Sequence, residues 1–168
     1  MILLNKGGDS IVRLNPEEVS QEEFLQTYIK ENPDVIPLDD FKDETRLLIL
    51  GKEFPAHGGE RIDALAMDQD GDLYVIETKL FKNADKRKVL AQMFDYGAAL
   101  WDMPSDDFRR YLNHFSKSQF DNKELPERVS EFIDDEEADT EEVIGRLISH
   151  KEEGSITYIV LMDQIESR

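Results

Sequence analysis

Two acidic residues and a lysine, Asp63, Glu77 and Lys79, form the arrangement in this sequence that is best suited to chemistry. The two acids lie in alternating apolar segments joined by the turn Gln69-Asp70-Gly71, which predicts a β-hairpin. Carboxylates that face each other on a half-buried sheet surface repel, so a cation is needed beside them. Lys79 can neutralise one charge, whereas a divalent cation can neutralise both.

The length of the hairpin loop decides whether the two acids meet. A two-residue loop would place Asp63 opposite Thr78, whereas a three-residue loop with Gly71 in the left-handed conformation places Asp63 opposite Glu77. The longer loop also brings two apolar pairs into register, Leu65 with Val75 and Met67 with Leu73. We therefore favour the three-residue loop.

Paired Asp and Glu oxygens with room for water are the ligands that Mg²⁺ or Mn²⁺ prefers. A metal held in this way can polarise a phosphate group and lower the pKa of a bound water. A neighbouring lysine such as Lys79 can then orient the nucleophile or stabilise the charge of the transition state.

Several elements would have to position these residues. Ser20 and Glu23 have capping-box spacing, so a helix should begin at Ser20 and stop at Asn32-Pro33. Strands are predicted at residues 46–52, 61–68, 72–79 and 155–162, and further helices at 84–102 (capped by Asn83), 108–115 and 141–150. The last strand is continuously apolar, which is typical of a strand buried on both faces.

These elements predict an α/β fold with a mixed β-sheet flanked by helices. Residues 1–19 alternate weakly and are expected to form an N-terminal edge segment, a short hairpin around Gly7-Gly8. Residues 20–168 would form one domain, in which 103–154 is an acidic segment with helical parts.

The composition excludes several classes of protein. The chain has 168 residues and no cysteine, which rules out disulfide scaffolds, thiolate metal sites and thiol nucleophiles. No apolar run approaches the roughly 20 residues that span a bilayer. We therefore expect a soluble, cytoplasmic protein that does not associate with membranes.

Charge is distributed unevenly along this acidic chain. The formal net charge is −18, which opposes general binding to nucleic acids. Residues 121–153 hold thirteen acidic and four basic side chains, whereas residues 79–88 hold five basic and one acidic. The basic side chains that follow Lys79 are candidates for DNA contact, and they are Lys82, Lys86, Arg87 and Lys88.

Three stretches carry a resemblance to a known family. They are Gly58-Gly59-Glu60-Arg61-Ile62-Asp63, Glu77-Thr78-Lys79 and Gln92-x-x-x-Tyr96, preceded by a helix with Glu22, Leu25, Ile29, Asn32 and Pro33. Together they resemble the PD-(D/E)XK nuclease superfamily and, more narrowly, the RecB-like domain of NucS-type endonucleases. The resemblance covers residues 20–101 well and the strand near 156–162 plausibly, whereas residues 103–154 do not align with it.

The resemblance implies a restriction-endonuclease-like fold with an α-β-β-β-α-β core, in which residues 103–154 are an acidic helical insert. It also implies a Mg²⁺- or Mn²⁺-dependent phosphodiesterase, an endonuclease that hydrolyses DNA. In this reading Asp63, Glu77 and the carbonyl of Thr78 bind the metal, and Lys79 acts on the attacking water. Glu22 and Gln92 would support the site from the flanking helices. A homodimer or a further domain would assist DNA binding.

Other interpretations of the same residues stay open. Asp63, Glu77 and Lys79 could form a structural ion pair, Glu22 could complement a helix N-terminus, and Gln92 could hydrogen-bond in the core. The whole chain could be a catalytically silent module of the nuclease fold that binds DNA or a basic protein partner. An acidic DNA mimic is a third alternative, which explains the charge but not the cluster.

Overall fold

A computed structural model describes residues 2–4, 11–13, 22–36, 38, 42–56, 59–80, 85–134 and 138–162 of the chain. The elements in these ranges are β1 Ile2–Leu4, β2 Ile11–Arg13, α1 Glu22–Glu31, a 3-10 helix Pro33–Val35, β3 Leu47–Pro55, β4 Arg61–Asp68, β5 Leu73–Lys79, α2 Lys86–Asp102, α3 Ser105–Gln119, α4 Leu125–Ile133, α5 Thr140–Glu153 and β6 Ile156–Met162. The predicted α/β class is confirmed.

The central element is an open, mixed four-stranded sheet in the order β3-β4-β5-β6. The first three strands are antiparallel, and β6 runs parallel to β5. A parallel return needs a crossover, and α2 to α5 provide it. β1 and β2 pair with each other as a separate antiparallel sheet, while Gly7-Gly8 lies outside the described residues.

The β4–β5 hairpin has the predicted three-residue loop. Leu65 pairs with Val75 and Met67 with Leu73, and Gly71 has a φ of +86°. A side chain at Gly71 would also lie 2.7 Å from the Val143 carbonyl of α5, so this turn requires glycine for two reasons.

Lys42, which precedes β3, forms ion pairs with the acidic residues of the same hairpin turn. Its Nζ lies 2.8 Å from Asp68, 2.6 Å from Asp70 and 3.0 Å from Asp72. Burial lowers the pKa of Lys42, but hydrogen bonds to the three carboxylates raise it above its ordinary value. Asp68 is fully buried and also accepts a hydrogen bond from the Tyr74 hydroxyl. One ammonium thus compensates three acids at the hairpin tip.

The sheet separates two apolar layers. On one face, α1 and the residues after it pack Ile29, Ile36 and Leu38 against the strands. On the other face lie α2 and the insert helices, whose buried residues include Phe108, Leu112, Leu125, Val129, Ile144 and Leu147. The insert is therefore an integral layer of the core, because its apolar faces turn inward while its acids face solvent.

The prediction that the last strand is buried on both faces is wrong. β6 is the edge strand of the described sheet, and Tyr158 and Val160 are each 38% exposed. The large apolar residues Leu90, Phe94 and Trp101 of α2 are exposed as well. An apolar run cannot distinguish an edge strand from a central one, because neighbours in space decide which it is.

The helices differ from the predictions in several places, since α3 and α5 are longer than predicted, α2 begins later and α4 was missed. α2 begins at Lys86, and its N-cap is Asp85 rather than Asn83, with the Asp85 side chain accepting from the amide of Arg87 at 3.1 Å. α4 was not predicted, although Leu125, Val129 and Ile133 have helical spacing, because this short segment lies within an acidic stretch. The predicted helix start at Ser20 lies outside the described residues.

Candidate active site

Three of the predicted catalytic residues meet where β4 begins and β5 ends, and they are Asp63, Glu77 and Lys79. Asp63 is 8% exposed and Glu77 is 1% exposed, so both carboxylates are buried. Thr78 is also buried, and the Lys79 side chain is 18% exposed. The described ladder ends at the pair Ala64 and Ile76, and Asp63 and Glu77 are the next positions along the two strands.

The Asp63 carboxylate accepts three hydrogen bonds from the protein. Its Oδ2 accepts from the Thr78 amide and from the Thr78 hydroxyl, each at 2.7 Å. Its Oδ1 accepts from the Gln26 side chain of α1, also at 2.7 Å. The structure therefore fixes Asp63 between β5 and the helix on one face of the sheet.

The two Glu77 carboxylate oxygens have different environments. Oε1 lies 2.6 Å from the Lys79 Nζ, whereas Oε2 is buried and accepts no hydrogen bond of ordinary geometry, although the Tyr96 hydroxyl is close enough to lower the pKa of Glu77. Burial raises the pKa of Glu77 above its ordinary value, and the negative charge of Asp63 raises it further. The hydrogen bond from Lys79 opposes this rise without cancelling it.

The site has donors of the kind a divalent cation needs. An orphaned, buried carboxylate oxygen beside a second carboxylate is costly unless a cation or a donor reaches it. The residues present fit Mg²⁺ or Mn²⁺, which take carboxylate and carbonyl oxygens. Among the described residues no group of three or more His, Cys, Asp or Glu side chains could hold a metal ion, so the protein offers two carboxylates here rather than a complete cage.

Two residues that the sequence analysis did not assign lie at the site. Gln26 contacts Asp63 directly. It lies four residues after Glu22 on α1, and this i, i+4 spacing was the sequence signal that could have assigned Gln26 to the site. Tyr96 donates its hydroxyl to the Arg61 carbonyl at 2.9 Å. Burial, and then the charges of Glu77 and Asp63, raise the pKa of Tyr96 above its ordinary value.

The other predicted site residues have mixed outcomes. Gln92 is half-buried on α2, one turn before Tyr96, and the described hydrogen bonds do not join it to Asp63 or Glu77. α1 begins at Glu22, but the side chain of Glu22 lies outside the described part of the chain. Lys82 also lies outside it.

The remaining basic residues form one exposed surface, the basic turn, made of Lys86, Arg87 and Lys88. It is the first turn of α2, which follows β5 and the candidate site along the chain. The acidic insert packs on the same face of the sheet as α2, with Gly154 beside Trp101 near the opposite end of that helix. About 20 Å of helix separates Trp101 from the basic turn.

No family model, curated protein or solved structure matches this chain. In the part of the chain that the structure describes, no helix is long and apolar enough to cross a membrane. The site must therefore be interpreted from its own geometry.

Proposed function

We propose that the protein is a metal-dependent DNA endonuclease of the PD-(D/E)XK type. The observation that carries this proposal is the buried Glu77 carboxylate, whose Oε2 accepts no hydrogen bond of ordinary geometry while Asp63 and Lys79 lie beside it. Asp63, Glu77 and the Thr78 carbonyl would hold Mg²⁺ or Mn²⁺. The bound cation would polarise the scissile phosphate and lower the pKa of a water.

The side chains around the carboxylates have distinct tasks in this proposal. Lys79 would hold the attacking water or stabilise the charge that develops on the phosphate oxygens. Gln26 keeps Asp63 oriented through its 2.7 Å hydrogen bond. Tyr96 is buried and interacts with the Glu77 carboxylate, and it would help to keep the carboxylates in a medium of low dielectric, where charge interactions are strong.

Cleavage assays with labelled single-stranded, branched and duplex DNA test the proposal directly. Wild-type protein should cut at least one of these substrates with Mn²⁺ and none of them in EDTA. Asp63→Ala and Glu77→Ala should abolish cleavage, whereas the exposed insert residue Glu127, changed to Ala, provides a matched control that stays active. Cleavage that survives in both site variants would refute the assignment.

Thermal unfolding gives a second measurement that does not require the correct DNA substrate. Mn²⁺ should raise the melting temperature of the wild type by binding the folded state. The same ion should produce no rise in Asp63→Ala or Glu77→Ala. If calorimetry finds unchanged Mn²⁺ binding in the double variant, the metal site lies elsewhere.

A catalytically silent module that binds DNA or a basic protein partner is the second candidate. The observation in its favour is that three protein donors already satisfy Asp63 without any cation. The net charge of −18 also suits a basic partner. This candidate would be favoured if Mn²⁺ left the melting temperature of the wild type unchanged and the wild type cut no DNA.

A further inference from the structure

Two adjoining open clefts lie between α1, β3 and the insert helices α3 and α4, and no residue of the candidate active site lines them. Their volumes are about 520 and 420 Å³, within the range of about 300–1,000 Å³ that small-molecule sites occupy. We call them together the insert pocket. Both are lined by Lys30, Leu48, Phe120, Arg128, Glu131 and Phe132.

Arg128 is the unusual residue of the insert pocket, because it is a cation that is only 7% exposed. Its Nη2 donates to the Ile49 carbonyl at 2.6 Å, and its guanidinium carbon lies 3.5 Å from the centre of the Phe120 ring. Its Nη1 is buried and has no hydrogen-bond partner. Burial lowers the pKa of Arg128 to about 10. A buried guanidinium with an unused donor favours a hydrogen-bond acceptor beside it, and an oxyanion is the strongest one.

A second cation of the pocket lies close to Arg128, because both contact one aromatic ring. The Lys30 Nζ lies 4.8 Å from the centre of the same Phe120 ring. Glu131, the lining acid whose charge acts on Arg128, is paired with Lys123, which reaches both of its oxygens at 2.6 Å. The remaining lining acids are exposed to solvent, where salt screens them, and they are Glu31, Asp34 and Asp121.

We propose that the insert pocket binds a small organic anion, whose phosphate or carboxylate group is held by Arg128 and Lys30. An arginine fork offers parallel hydrogen bonds to such a group, and Nη1 is the donor left for it. The apolar part of the molecule would rest against Leu48 and Phe132. This site is independent of the nuclease proposal, since it shares no residue with it.

Isothermal titration calorimetry on the full chain at constant ionic strength tests the site. Adenosine monophosphate, benzoate and inorganic phosphate serve as probes, and at least one organic probe should bind more tightly than inorganic phosphate. Preference for the nucleotide identifies a phosphate-bearing ligand, and preference for benzoate identifies a carboxylate. If no organic probe binds at millimolar concentration, or if inorganic phosphate binds equally well, the proposal is overturned.

Three variants locate the binding. Lys30→Met and Arg128→Lys should each weaken it about tenfold, the usual effect of losing one charged hydrogen bond. The matched control is Arg109→Met on α3, whose guanidinium pairs with Glu141 and which should leave affinity within about twofold. Equal weakening by Lys30→Met and Arg109→Met would overturn the site, because it would report only total charge, which Arg128→Lys leaves unchanged. If Arg128→Lys fails to fold, Lys30→Met decides alone.

Discussion

At the scale of single residues, the uneven environment of Glu77 predicts how stability responds to pH. Burial raises the pKa of Glu77 above its ordinary value of 4.5. The neutral form is therefore favoured in the folded state, and the stability that it contributes is present below pH 4.5 and lost as pH rises through the raised pKa. Without metal, ionised Glu77 should therefore lower the free energy of unfolding of the wild type at neutral pH.

The variant Glu77→Gln should remove this penalty because it cannot ionise. In EDTA, its free energy of unfolding should exceed that of the wild type by a margin that grows as pH rises from about 4.5. Urea unfolding between acidic and neutral pH measures the margin. The control Glu127→Gln should follow the wild-type curve, because that side chain is exposed. Parallel curves for Glu77→Gln and wild type would contradict the prediction.

Lys79 should matter more to turnover than to folding or DNA binding. Changing Lys79 to Met keeps most of the stem packing but removes the ammonium beside Glu77. The expected loss is ~100-fold in single-turnover cleavage rate, the usual scale for one electrostatic or acid–base group. Lys117→Met removes a charge of the same kind from the surface of α3 and should have no effect. A wild-type rate in Lys79→Met would dismiss the catalytic role.

At the scale of elements, the hairpin turn and α5 depend on each other through Gly71. Gly71 and Gly59 share a φ of +86°, but a side chain at Gly59 would meet nothing within 4 Å. At Gly71 it would press on the Val143 carbonyl. Two glycines with the same φ therefore have different surroundings.

This difference makes a matched pair of variants. Gly59→Ala should cost about 1 kcal/mol in the free energy of unfolding, from backbone strain alone. Gly71→Ala should cost about 1–3 kcal/mol more, because α5 must move to admit the methyl group. Chemical denaturation measures both values. Equal losses would show that α5 does not rest on the hairpin turn.

At the scale of the whole molecule, the difficulty for a DNA enzyme is its net charge of −18. Phosphates are repelled by such a surface unless a local cluster of cations meets them. The basic turn of Lys86, Arg87 and Lys88 is exposed at the N-terminal end of α2, where the helix dipole also favours anions. We expect weak DNA affinity from this surface alone, with help from a second copy in a homodimer or from a further domain.

Salt dependence measures how many phosphates this surface neutralises. With three cations in the basic turn, the slope of log affinity against log salt should be about −3. Changing Lys86, Arg87 and Lys88 together to Ala should weaken binding for every DNA sequence and flatten the slope. A triple change of Arg109, Arg110 and Lys117 on α3 removes the same charge and serves as the control. An unaltered slope in the basic-turn variant would show that DNA binds elsewhere.

The sequence by itself determined the α/β class, the hairpin with its three-residue loop, and the approach of Asp63, Glu77 and Lys79 at the ends of two strands. These features could be predicted because they depend on local physics. A left-handed glycine sets the loop length, and alternation of apolar residues then sets which side chains oppose each other. The assignment of the nuclease family and of its metal stays a prediction.

Only the tertiary structure decided which further residues lie at the site and where the last strand lies in the sheet. Gln26 and Tyr96 reach the site from helices distant in sequence, and β6 lies at an edge although its composition is that of a buried strand. Two buried atoms without an ordinary hydrogen bond, Glu77 Oε2 and Arg128 Nη1, likewise result from how the elements pack together. Burial and hydrogen-bond satisfaction are properties of neighbours in space, and no local pattern in a single chain encodes them.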